Sequence, residues 1–92
     1  MTLKDYEDEV LFRMFDKKII GHGYARVEHL ASKINWIEIQ QTHGVNKKLK
    51  RVVRRLSNKG YVDFHGKSGD VASLTALGVA YVKGKLSTKD IA

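Results

Sequence analysis

The segment from Asn46 to Val62 constrains this chain more tightly than any other. Leu49, Val52, Val53 and Leu56 recur at i, i+3, i+4 and i+7, the spacing that draws one apolar stripe along a helix. At about 100° per residue, Lys47, Arg51, Arg54 and Asn58 fall on the opposite face, flanked by Lys48, Lys50 and Arg55. Asn46 is of the residue type that caps helix N-termini, and Lys59-Gly60 supplies a glycine for a left-handed C-cap. Such a helix must bury its stripe, and once it does it presents a cationic face to solvent.

The flanking segments supply partners for that stripe. Residues 3–18 predict a helix with Tyr6, Val10, Leu11, Met14 and Phe15 on its inner side, ended by Gly21-His22-Gly23. Its acids, Asp5, Glu7, Asp8 and Glu9, cluster in the first half and are expected on the exposed side, where they complement the helix dipole. A second helix is expected over residues 25–34, with Val27, Leu30, Ala31 and Ile34 inward. Asn35 followed by Glu38 has the form of a cap with its reciprocal partner and favours a short helix over residues 36–41, although the second helix could equally continue through it. His43-Gly44 reads as a turn. Tyr61 to His65 alternates as a strand, residues 66–70 are turn formers, and Val71 to Leu74 returns as the second strand of a hairpin. Thr75 is placed to cap a last helix over residues 76–83, lined inside by Leu77, Ala80 and Tyr81. The expected organisation is a single domain over residues 1–86, with a frayed tail over 87–92.

Bulk properties narrow the function. With no cysteine in 92 residues, disulfides and thiolate chemistry are excluded. No apolar run approaches the roughly 20 residues of a membrane span. The acidic N-terminus lacks the apolar core of a secretory signal, so the cytoplasm is the expected compartment. The four histidines, His22, His29, His43 and His65, show no ligand spacing, and neither a metal nor a cofactor is expected. Phosphate-loop, nucleophile and paired-carboxylate motifs are absent, so an enzyme is not expected. The formal net charge is +7, and residues 43–68 alone account for it, with eight lysines and arginines against Asp63. Charge concentrated in this way points to a polyanionic partner.

The run Leu56 to Val62, through Lys59-Gly60-Tyr61, followed by strand, turn, strand and Leu74-Thr75-Ala76-Leu77-Gly78, resembles the winged helix-turn-helix transcriptional regulators, in the broad style of the MarR, PadR and ArsR groups. The resemblance covers residues 25–85. It implies an α+β, mostly helical fold of three to five helices with a two-stranded β-hairpin wing, a DNA-binding role in transcription regulation, and a homodimer. The first and last helices would form the dimer, with Tyr6, Val10, Tyr81 and Val82 at the contact. The chain departs from the pattern in a long segment between His29 and Gly44 and in a wing whose one cation, Lys67, is offset by Asp70.

From the residues themselves, the basic helix over 46–58 is wide enough to enter a major groove. Arg51 and Arg54 are the candidates for base edges, since arginine reads guanine through two hydrogen bonds. Lys47, Lys48, Lys50 and Arg55 are candidates for phosphate contacts, with Asn46 and Asn58 at the ends of the face and Lys67 reaching from the wing. Double-stranded DNA is the expected partner. Structured RNA, or an acidic protein docked on the same helix, are the alternatives. A membrane surface is not expected, because the apolar stripe is narrow and carries no aromatic anchor.

Overall fold

The computed structural model describes residues 3–65 and 71–91. Their order is α1 (Asp5–Asp16), β1 (Ala25–Arg26), α2 (Val27–Lys33), α3 (Trp36–His43), α4 (Leu49–Asn58), β2 (Val62–His65), β3 (Val71–Leu74) and α5 (Ala76–Ile91). This is the α+β, helix-rich fold with a β wing that the pattern predicts. Residues 66–70, including Lys67 and Asp70 and expected as the turn of the wing, lie outside the described residues.

The sheet has one strand more than the hairpin. β3 is central, pairing antiparallel with β2 on one side, Val62 opposite Leu74 and His65 opposite Val71. On its other side it pairs with β1, Ala25 opposite Ala72. The chain before β1 follows the same edge. Leu74 N–H donates to Ile19 O at 2.8 Å and Gly21 N–H to Leu74 O at 3.0 Å. Ser73, itself buried, donates its hydroxyl to Gly21 O at 2.8 Å. Ala25 and Arg26 therefore belong to the sheet, and α2 begins at Val27 rather than at Ala25.

Helix α1 forms the spine, packed on α3, α5 and β3. Tyr6, Val10, Leu11 and Met14 are buried as expected, and Glu7 is buried with them. The acids of its first half are thus not all solvated. The Gly21-His22-Gly23 stop is also corrected. Lys18 takes the left-handed conformation at φ 60°, and the backbone bonds Ile19 N–H to Met14 O at 2.9 Å and Lys18 N–H to Phe15 O at 3.0 Å close the helix. That double closure is the one glycine usually permits; here a lysine makes it.

Asn35 holds the N-cap position of α3, as expected, but without the reciprocal side-chain bonds. It sits in the left-handed region at φ 53°, with no capping side-chain bond, and serves as a two-helix corner. Glu38 turns instead to Arg13 of α1, which also donates to Ile34 O at 2.9 Å. One guanidinium thus joins α1 to the end of α2 and the start of α3. Trp36 is buried in the chain's own core.

The junction of α4, β2 and α5 explains two features of the sequence. Gly60, at φ +86°, ends α4, with Tyr61 N–H on Leu56 O at 3.1 Å and Gly60 N–H on Ser57 O at 3.0 Å, a Schellman closure. Thr75 caps α5 as expected: its hydroxyl accepts from Gly78 N–H at 3.0 Å and donates to Gly60 O at 2.6 Å. A Cβ on Gly78 would lie 2.1 Å from Tyr61 O, so only glycine lets α5 approach this closely. That contact fixes the roll of α5. Val82 turns inward and Tyr81 packs on the core as expected, whereas Leu77, at 55% exposure, turns outward with Ala80, which corrects the face read from the sequence at those two residues. The helix also runs past residue 83, to Ile91.

Two predictions follow from this packing. Gly78→Ala is expected to lower stability by about 2–4 kcal/mol, because backbone rather than a flexible side chain must move. Gly84→Ala, whose Cβ meets nothing within 4 Å, is expected to raise stability by about 0.5–1 kcal/mol through helix propensity. Urea unfolding of both variants checks the pair.

Tyr81 donates its hydroxyl to Asp8, and its ring lies tilted at 43° against that of Tyr61 with the centroids 4.9 Å apart. Burial first, and then the Asp8 carboxylate, hold its pKa well above the ordinary 10.0. The raised value makes the native state retain a proton that the unfolded chain releases. Its contribution is therefore complete below pH 10.0 and is lost as pH rises above it. Stability of the wild type should fall more steeply above that pH than stability of Tyr81→Phe, as followed by circular dichroism melts across an alkaline series.

Candidate nucleic-acid interface

Helix α4 is held at both ends and along its inner side. Its stripe of Leu49, Val52, Val53 and Leu56 is buried, as predicted. Before it, the backbone at Lys47 is anchored to α3, because Trp36 Nε1–H and Gln40 Nε2–H both donate to Lys47 O, at 3.2 and 3.0 Å. After it, the Gly60 closure leads directly into β2. The roll of α4 is therefore fixed, and the cations of its outer face project in a defined order.

The helix begins later than the sequence suggests. Lys48 is the N-cap residue and Leu49 the first helical one, so Asn46 is not the cap. The tie between Lys47 O and α3 keeps residues 45–47 outside the helix. Asn46 and Lys47 lie in the exposed approach to α4, whereas Lys50, Arg51, Arg54, Arg55 and Asn58 lie on its exposed face. An open groove of about 770 Å³ separates α2 from the start of α4, with Glu28, Lys48 and Arg51 among its walls. Glu28 is paired to Arg26 at 3.5 Å.

The predicted cations divide into two sets. Lys48, Lys50, Arg51 and Arg54 have no acidic or hydrogen-bonded partner among the described residues. Lys47 and Arg55 are engaged by α1. Lys47 Nζ donates to Tyr6 Oη at 3.3 Å and stands 5.8 Å from the ring centroid. Arg55 Nε lies 3.1 Å from Glu7 Oε2. That carboxylate is fully buried, and its other oxygen accepts Lys4 N–H at 3.0 Å. The alignment at Oε2 is that of an ion pair rather than a directed hydrogen bond, since Oε2 has no hydrogen-bond donor.

Tyr6 and the buried Glu7 thus support this surface from α1, although the sequence pattern assigns neither to it. Tyr6, Val10 and Val82, which the resemblance would place at a dimer contact, belong to the chain's own core, and Tyr81 is held by Asp8. Lys67 lies outside the described residues. Among the described residues no group of three or more His, Asp or Glu side chains has the geometry to hold a metal ion. No described helix is long and apolar enough to cross a membrane. Comparison with known proteins finds no family model, no curated protein and no solved structure that matches this chain.

The pairing pattern separates two arginines of the same helix by their effect on stability. Arg55→Ala leaves the Glu7 carboxylate buried without its cation, which is expected to cost about 1–3 kcal/mol, reduced from the fully buried case because Arg55 is half-exposed. Arg54→Ala removes an unpartnered surface cation and should change stability by less than about 0.5 kcal/mol. Chemical denaturation of the two single variants provides the comparison.

Proposed function

We propose that this domain binds double-stranded nucleic acid, DNA by preference, through the outer face of α4, in a regulatory rather than a catalytic role. The observation that carries this reading is the set of cations without an acidic or hydrogen-bonded partner among the described residues, Lys48 at the N-cap and Lys50, Arg51 and Arg54 on the exposed face of one helix held at both ends. A helix of 10 residues is about 15 Å long, and with one side buried it can lie in a major groove. Arg51 and Arg54 are central on that face and suit base edges. Lys48 and Lys50 suit phosphates, as does Asn58 as a neutral donor. The β2–β3 hairpin stands beside α4 as the wing. Homodimerisation belongs to the same reading as a way to address two half-sites.

Structured RNA offers the same phosphates, but its deep, narrow major groove does not admit a helix face of this kind, so duplex DNA is favoured. An acidic protein partner would engage the cations without any groove.

The test is fluorescence anisotropy with a labelled 30-bp duplex of mixed sequence over a salt series. Wild type is expected to bind in the micromolar range with steep salt dependence, and Arg51→Ala/Arg54→Ala to bind more weakly with a log–log salt slope shallower by about 1–2. Absence of binding by the wild type at low salt would refute the nucleic-acid reading. Equal competition by duplex RNA would remove the preference for DNA.

A further inference from the structure

The edge of α4 that meets α1 differs from the rest of its basic face. There Tyr6, Lys47, Arg51 and Arg55 surround a cleft of about 250 Å³, with buried Val52 behind them. At about 30 Å³ per water, that volume holds a tetrahedral anion with part of its hydration shell.

The polar groups around the cleft are ready for such an anion. The Tyr6 oxygen accepts from Lys47 Nζ at 3.3 Å, which leaves the tyrosine hydrogen available to donate. The Lys47 main chain is fixed by Trp36 and Gln40, so the ammonium approaches from an anchored backbone. Arg55 is steadied at Nε by Glu7, at 3.1 Å, and keeps 48% of its side chain exposed beside the cleft. Arg51 makes no ion pair among the described residues. Three cations against the single Glu7 carboxylate leave an excess of two positive charges, enough for the single charge of a duplex phosphodiester or for the dianion of a phosphate monoester. Arginine forks match phosphate oxygens in pairs, and a neutral hydroxyl donor adds direction to the charge.

We propose that this cleft is a phosphate-binding site, in which Tyr6, Lys47, Arg51 and Arg55 together hold the oxygens of one phosphate group. The proposal deepens the nucleic-acid reading and rests on it only for the source of the phosphate, which is either a duplex backbone or a small phosphate-bearing ligand. In the first case the site sets the register of α4 on the duplex. In the second it makes the basic face responsive to a soluble anion.

The experiment is an NMR titration of the full chain with inorganic phosphate, against sodium chloride at matched ionic strength, following the Nε–H resonances of Arg51 and Arg55. Phosphate should give saturable shifts that chloride does not. Tyr6→Phe, which keeps the ring and loses only the hydroxyl, should weaken the midpoint roughly three- to tenfold, the worth of one hydrogen bond. Shifts that chloride reproduces, or a midpoint unmoved in Tyr6→Phe, overturn the site. A second arm titrates the same variant with the 30-bp duplex. Weaker binding at an unchanged salt slope assigns the site to a backbone phosphate, because an uncharged donor releases no counterion. Unchanged duplex affinity with weakened inorganic phosphate assigns it to a small ligand. Phosphate binding by a wild type that binds no duplex sinks the nucleic-acid reading and leaves the site standing; duplex binding without saturable phosphate binding does the reverse.

Discussion

Burial of the four aliphatic side chains on α4 sets the roll of that helix, and most of the functional surface depends on it. At about 1.5–3 kcal/mol for each fully buried aliphatic side chain, Leu49, Val52, Val53 and Leu56 outweigh any surface ion pair, which contributes at most about 1 kcal/mol. The apolar contacts therefore decide orientation, and the cations take the directions left to them. Both ends reinforce the choice. The Lys47 carbonyl is tied to α3 by Trp36 and Gln40. At the other end, Gly60 turns the chain into β2, where Thr75 and Gly78 bring α5 against it. A change at Gly78, remote from the basic face, thus acts on the strand that α4 leads into.

The acidic first half of α1 works as a set of ties more than as a solvated counterweight. Glu7 reaches Arg55 of α4, Asp8 accepts from Tyr81 of α5, and Glu9 lies 3.6 Å from Arg13, which goes on to Ile34 O and Glu38. Glu7 and Asp8 thus reach two other helices directly, and Glu9 meets Arg13 of its own helix, the residue that carries the tie on to α2 and α3. The helix dipole favours acids at this end, but the partners are what fix which acid faces inward. Glu7 bears the largest desolvation cost, offset by Lys4 N–H on one oxygen and the Arg55 guanidinium beside the other.

Where a periodic stripe and a turn residue agreed, the structure was legible from the sequence. The buried face of α4, its glycine closure, the β2–β3 hairpin and the Thr75 cap all follow from local pattern. The two residues of β1 carry no strand period, and only β3, far along the chain, makes them a strand. Asn35 and Asn46 have the chemistry of caps, yet Asn35 holds the N-cap position of α3 without a side-chain cap, its expected partner Glu38 being drawn to Arg13, and the ties on Lys47 O start α4 two residues beyond the place Asn46 would give it. On α5 the apolar pattern places Tyr81 correctly but not Leu77 and Ala80, because Gly78, not an apolar side chain, marks the point of closest approach. Glu7 shows a signal that was present and passed over. It stands at i of the series completed by Val10, Leu11 and Met14, so helical spacing puts it in the middle of the buried arc. Treating it as a surface acid gave its residue type more weight than its position. For the candidate interface, the set of cations was legible, but which of them are engaged by α1 was not, because Tyr6 and Glu7 are distant in sequence from Lys47 and Arg55.

That division of the cations bears on how a polyanion would be held. Immobilising a long side chain on binding costs about 0.5–1.5 kcal/mol. Lys47 and Arg55 have already met part of this cost in folding, through Tyr6 and Glu7, so contacts they make come with less ordering. Their geometry is set by the protein, which suits a fixed and sequence-independent feature such as a phosphate. Arg51 and Arg54 have no such tie among the described residues and can adjust to groups that differ from one ligand to another, as base edges do. Arg51 belongs to both regions, lining the α1-side cleft and the groove beside α2. A single guanidinium cannot fill both at once, so in the proposed role its choice between a phosphate and a groove contact couples positioning to recognition. The anchored pair fixes where the helix sits, and Arg51 is the residue through which that placement reaches the adaptable half of the face.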